Sequence, residues 1–266
     1  MGEALALTAR GSVRRMRRLV VVLLAALVLA APAPSYAVEQ LPVGADADYQ
    51  LGGVRDVPER VGIVVRDRTA RPAGVYDVCY VNGFQTQPNE RRFWQQRRHL
   101  LLTRGGRPVV DEEWGEWLLD LRTPEKRRAL ARIVGRWTAG CARKGYEAVE
   151  YDNLDSFTRS HGLLERRHAV AYARLLTRRA HRVGLAVAQK NLPGLHGRRV
   201  GFDFAIAEEC GRYDECGRYA REYGRRVVVV EYRRRDFRAT CRQYGDRLAV
   251  VLRDRDLSPR GTRSWC

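Results

Sequence analysis

Three observations assign this chain to the α/β class, as a single (β/α)8 TIM-type barrel. Strand-like and helix-like segments alternate from Tyr49 to Leu252, the pattern of a mostly parallel sheet covered by helices. Four successive strand segments end in polar residues, at Asp152, Lys190-Asn191, Glu208 and Glu231. In a barrel the carboxyl ends of the strands meet at one face, where ligands bind. No Pro/Ser-rich linker divides residues 38–266, so they are expected to form one domain.

Residues 1–37 read as a signal peptide. Arg10, Arg14, Arg15, Arg17 and Arg18 make a basic start, Leu19 to Ala31 is apolar, and Ser35-Tyr36-Ala37 supplies small residues for cleavage. The apolar run is short and broken by Pro32 and Pro34, which disfavours a membrane span. The mature chain is therefore expected to begin at Val38, to be secreted and to leave the membrane after cleavage. All six cysteines lie beyond residue 37. An even count in an exported chain favours disulfides, and fifteen pairings are open. Cys210–Cys216 is the pair favoured by proximity.

The net charge is +18, and the first 37 residues hold five arginines and one glutamate, leaving +14 for the rest. Only three of the 49 basic residues are lysines, Lys126, Lys144 and Lys190. The arginines are scattered along helical segments with no aromatic-interleaved stripe, so they read as solvated surface. No nucleic-acid partner is expected, and the protein is expected to be a monomer.

Taken in order, Tyr49–Leu51 and Val61–Val65 are weak strand candidates, and Val75–Val81 is a clear one ended by Asn82-Gly83. Tyr80, Asn82 and Gln85 lie where amides and an aromatic ring suit sugar hydroxyls. Trp114–Leu121 reads as a loop feeding another strand. Thr123-Pro124 opens a helix as N-cap and first residue, with Leu130, Ile133, Val134, Trp137 and Cys141 on one face; Gly145 ends it. Next comes Ala148-Val149, followed within a few residues by Glu150, Asp152 and Asp155. A helix spans 165–183, and strands follow at 185–191, 202–207, 227–230 and 248–252, with helices near 215–223 and 236–244 between them. That makes nine strand candidates for eight barrel places, so an early weak segment or the last is expected to be peripheral.

The segment Glu150-Tyr-Asp-Asn-Leu-Asp155 could simply cap the next helix. Crowded carboxylates repel, however, and at least one should hold a raised pKa. Two carboxylates at a barrel mouth are the equipment of glycoside hydrolysis, one as acid and one as nucleophile or base. A Gly-rich phosphate cradle and a Gly-x-Ser-x-Gly elbow are both missing from the sequence. The five histidines show no metal-ligand spacing, so no cofactor and no metal are expected. Lys190, retained in an arginine-rich chain, suggests a need for a compact ammonium.

These residues resemble glycoside hydrolase family 114, the endo-α-1,4-polygalactosaminidases, in a bacterial secreted branch. The resemblance runs from about Tyr49 to the C-terminus. It rests on Glu150–Asp155, Ala180-His181 with Gly184-Leu185, Gln189-Lys190-Asn191, Phe202-Asp-Phe204 with Glu208-Glu209-Cys210, Cys216, and Glu231-Tyr232. It implies a (β/α)8 barrel that cleaves galactosamine-type polysaccharide internally, with Asp152 and Glu208 as the catalytic pair. Glu150, Asn153, Asp155, Lys190, Asn191, Glu231, Tyr80, Asn82 and Gln85 are the expected substrate-binding residues. Tyr151 stands where the family often has Pro, and Ala207 where it often has Asn. The alternative from another class is a secreted carbohydrate-binding barrel without turnover.

Overall fold

A computed structural model of the chain describes Met1 and residues 38–266; the expected signal peptide lies outside the described residues. Eight parallel strands follow one another in chain order: β1 Asp46–Gln50, β2 Val61–Asp67, β3 Tyr76–Asn82, β4 Ala148–Asp152, β5 Ala186–Lys190, β6 Phe204–Glu208, β7 Val227–Glu231 and β8 Ala249–Arg253. The predicted parallel barrel is what the sequence forms. At the seam, buried Arg253 of β8 donates to Asp48 Oδ1 at 3.1 Å and to the Tyr49 carbonyl on β1. A charge pair thus bridges the strands that the ladder leaves unpaired.

Side-chain alternation along each strand gives the barrel two apolar layers. Ile63, Val65, Val78, Phe204, Ile206, Val228, Val230 and Val251 fill the interior. Val149, Tyr151, Val187, Ala205, Ala207, Val227 and Val229 pack outward against the helices. These are α1 Pro124–Lys144, α2 Arg166–His181, the short α3 Gly197–Val200, α4 Cys216–Tyr223 and α5 Arg234–Tyr244. Thr123 caps α1 by accepting from the Lys126 N–H at 3.3 Å, and Gly145 ends it with φ 90°, which glycine adopts without a Cβ clash.

The surplus strand candidate is not an early segment or the last one. Tyr49 and Val61–Val65 lie on true barrel strands, and it is Trp114–Leu121 that stands aside. That segment belongs to an insertion between β3 and α1, where Glu116–Trp117 pairs locally with Val110–Asp111. Leu118 and Leu119 make only single bridges to Gln85 and Leu101. The insertion seats buried Trp94 edge-on against Trp137 of α1, with ring centroids 5.9 Å apart. An unforeseen ninth strand, β9 Arg263–Trp265, runs antiparallel to β8. It has no apolar run of its own; Arg263 pairs with Asp48 at 2.7 Å, and Trp265 Nε1 donates to the Ala47 carbonyl at 2.8 Å.

All six cysteines are paired, as Cys79–Cys141, Cys210–Cys216 and Cys241–Cys266. The first ties β3 to α1, the second closes the turn after β6, and the third anchors the C-terminus to α5. No helix among the described residues is long and apolar enough to cross a membrane.

Candidate active site

Alternation also decides which residues reach the barrel mouth. On β4, Glu150 and Asp152 point inward, while Tyr151 between them faces α1, its Oη 2.7 Å from Thr138 Oγ1. On β5, Lys190 points inward and Gln189 outward, where Gln189 Oε1 accepts from Tyr223 Oη of α4 at 2.6 Å. The residues just past these strands, Asn153 (φ 65°), Asn191 (φ 49°) and Glu209 (φ 53°), are all left-handed. Asparagine tolerates that conformation, and each such residue turns the chain sharply at the rim.

Lys190, only 2% exposed, is the hub. Its ammonium lies 3.0 Å from Asp152 Oδ1, 3.1 Å from Glu208 Oε2 and 3.2 Å from Glu150 Oε1, and 3.1 Å from Tyr49 Oη. Asp152 also accepts from Tyr80 Oη at 2.8 Å and from the Asn153 N–H at 2.7 Å. Glu208 accepts from Tyr232 Oη and, at 3.3 Å, from Asn191 Nδ2. The Asn191 side chain also fixes the strand end, since its Oδ1 accepts from the Glu208 N–H at 2.8 Å.

One ammonium cannot neutralise three carboxylates, and burial decides how they differ. Glu150 is fully buried and pushed up to about 7, chiefly by desolvation, against the opposing pull of Lys190. Burial also raises Asp152, but Lys190, Tyr80 and the Asn153 N–H outweigh it and hold the carboxyl below its usual value. Lys190 itself is favoured in its charged form. Desolvation opposes the charge, and Asp152 and Glu208 overcome it. Burial, with Asp152 or Glu208 alongside, pushes Tyr80 and Tyr232 far up, so both stay protonated donors.

Above this hub lies a cavity of about 430 Å³ lined by Asp152, Glu208, Lys190, Asn153, Asp155, Asn191 and Tyr80 among others. Four expected ligand-binding residues do not line it. Glu150 sits beneath it, accepting from Tyr49 Oη at 2.7 Å. Asn82 is buried and donates to Glu116 at 2.8 Å. Gln85 is buried and donates to Asp111 at 3.1 Å. Glu231 is buried on the outward side of β7, where it accepts from the Gly211 N–H at 2.7 Å. The strand end that carries Glu231 does serve the mouth, but through the next residue, Tyr232.

Tyr49, Tyr232, Trp114, Glu116 and Arg255 also line the cavity, beyond the residues expected from the sequence. Tyr232 was within reach, since it adjoins a strand end. Tyr49 points inward from β1, whereas Trp114, Glu116 and Arg255 come from the insertion and a loop, whose positions follow from tertiary packing. Among the described residues, one group has metal-ligand proximity, Cys210, Cys216 and Glu231. Its two sulfurs are bonded to each other, which withdraws them as ligands.

An inward pair of carboxylates bracketing a lysine at the mouth of a TIM-type barrel is the architecture of a glycosidase. The model of glycoside-hydrolase family GH114 matches residues 28–266, and the chain belongs to that family. Among solved structures, the chain is similar to Aspergillus fumigatus Ega3 in complex with galactosamine. That likeness has 18% identity and a TM-score of 0.70, covering 86% of this chain and 98% of that one. It is also similar to the glycoside hydrolase domain of PelA from Pseudomonas aeruginosa, at 17% identity and a TM-score of 0.54, covering 83% and 98%. At such identities these likenesses speak for the fold. No curated protein matches the chain.

Proposed function

We propose that this glycoside hydrolase is secreted and cuts α-1,4-linked galactosamine-type polysaccharide internally, with Asp152 as nucleophile and Glu208 as general acid/base. The observation that carries this reading is the shared ammonium. Asp152 Oδ1 and Glu208 Oε2 both lie about 3 Å from Lys190 Nζ, so the two oxygens are at most about 6 Å apart. A retaining pair stands about 5–5.5 Å apart and an inverting pair about 6.5–9.5 Å, which favours retention.

In the first step Glu208, acting as the general acid, gives a proton to the glycosidic oxygen as the bond to the anomeric carbon breaks. Asp152 Oδ2 or Oδ1 attacks that carbon and forms a glycosyl ester. In the second step Glu208, now ionised, takes a proton from water, whose oxygen displaces Asp152. Asp152 is assigned the nucleophilic role because Lys190, Tyr80 and the Asn153 N–H keep it ionised. Tyr49 and Glu150 hold Lys190 in place from below.

The lining of the cavity supports an amino-sugar substrate. Eight carboxylates and three cations face it, although the chain as a whole carries +18. A locally acidic cleft favours a cationic polymer over a neutral one. Three disulfides and the signal-like start favour secretion. The test is reducing-end release from α-1,4-galactosamine oligomers of defined length and their N-acetylated counterparts. Internal cleavage of the free-amine series supports the reading, and inertness toward both contradicts it.

A further inference from the structure

The insertion after β3 sends the hairpin Val110–Trp117 to the rim of the cavity. Loops from two sides of the mouth hold it. Arg159, which follows β4, lies 2.6 Å from Asp111 Oδ2. Arg255, which follows β8, pairs with Glu113 at 2.6 Å. Arg91 adds a bond to the Gly115 carbonyl at 3.3 Å, and Gly115 takes φ 65° in the turn. These contacts to separate loops place the hairpin as a wall of the site.

Two side chains on it have no role in the catalytic pair. Trp114 lines the cavity and is 54% exposed, whereas the other tryptophans are buried or half-buried. An indole held open at a cavity wall offers its apolar face to the C–H face of a sugar ring. Glu116 also lines the cavity but is only 9% exposed. Its Oε2 accepts from Asn82 Nδ2 at 2.8 Å and from Asn153 Nδ2 at 3.2 Å. Its Oε1 has no hydrogen-bond partner among the described residues. The strongest charge effects on it come from Asp152, Asp111 and Glu90, all negative. The nearby Arg159 is committed to Asp111 and Asp155. A carboxylate oxygen left open at a cavity wall, with like charges as its strongest neighbours, suits a cation from outside the protein.

We infer that this hairpin is a second sugar subsite beside the catalytic pair, with Trp114 stacking on a pyranose ring and Glu116 Oε1 receiving that ring's ammonium group. The inference rests on the amino-sugar reading above and adds the residues that impose it. Desolvation pushes Glu116 up to about 7; an ammonium placed against Oε1 would draw it back to the ionised form, and a neutral acetamide would not.

The two side chains make separable predictions. Trp114→Ala should lower kcat/KM at least tenfold, mainly through KM, on free-amine and N-acetylated galactosamine oligomers alike. Glu116→Gln keeps a carbonyl oxygen for Asn82 and Asn153, and should lower kcat/KM at least tenfold on the free-amine oligomer only. Calorimetric titration of each variant with a galactosamine tetramer reads affinity independently of turnover. If the wild-type enzyme binds the tetramer without cutting it, and Trp114→Ala loses that binding, the proposed hydrolysis fails while the subsite stands. If the wild type cuts the tetramer and both variants keep its affinity and KM, the subsite is wrong. Equal losses by Glu116→Gln on both oligomers would overturn the amine-binding role.

Discussion

Asp152 Oδ1 lies 3.0 Å from the ammonium of Lys190, a residue 2% exposed. That contact is screened less than one at the surface, so the lysine charge acts strongly on the carboxylate. The same ammonium reaches Glu208 and Glu150, which makes one lysine the electrostatic centre of the site.

Removing that centre should therefore be costly. Lys190→Met is expected to cut kcat/KM at least tenfold, about 1.4 kcal/mol of transition-state stabilisation. Lys190 lowers the Asp152 pKa, so its loss should raise that pKa and move the acid limb of the pH profile to higher pH. A pH profile measured on galactosamine oligomer checks both. An unchanged rate and limb would reduce Lys190 to a structural role.

Glu231 predicts a stability effect. It is buried and raised from 4.5 to about 7, first by desolvation. The folded protein thus keeps a proton there that the unfolded chain releases near 4.5. This contribution is fully present below about 4.5 and is lost as pH rises through about 7. Glu231→Gln, which still accepts from the Gly211 N–H, should remove this loss. Denaturant titrations should show the variant gaining on wild type across that window, by up to about 3 kcal/mol. Parallel stability curves would contradict the burial argument.

The disulfides give a graded expectation. In the chain-entropy view a crosslink stabilises more as its loop lengthens. Cys79–Cys141 spans 62 residues and Cys210–Cys216 spans 6. Replacing both cysteines of the first pair by Ser should cost about 4 kcal/mol, and of the second about 2 kcal/mol. Thermal melts of the two double variants test the order. The intact mass of the secreted form should also correspond to a chain starting near Val38 with no free thiol; six titratable thiols would refute the expectation.

How much of this was readable beforehand depended on range. Thr123-Pro124, Gly145 and the β-branched runs act through local geometry, so the eight barrel strands and the long helices fell near where the sequence placed them, while Trp114–Leu121 and β9 did not. The inward set of Asp152, Lys190 and Glu208 was legible because strand ends converge in a barrel. Glu231 was misread because a one-residue step along a strand reverses the side chain's face, which gives the mouth to Tyr232 instead. Trp114 and Glu116 were illegible as site residues because nothing local fixes where the insertion folds. Arg159 and Arg255 pin it there across 48 and 142 residues of chain respectively.

The central claim is that Asp152 and Glu208 form the catalytic pair, and one measurement reaches it directly. This is the rate of reducing-end release from an α-1,4-galactosamine oligomer by Asp152→Asn and by Glu208→Gln, with the melting temperature of each recorded alongside. Both carboxylates open onto the cavity but also pair with buried Lys190, so each variant should stay folded while melting somewhat below wild type. Each substitution should abolish cleavage. Hydrolysis at the wild-type rate by either variant would contradict the claim.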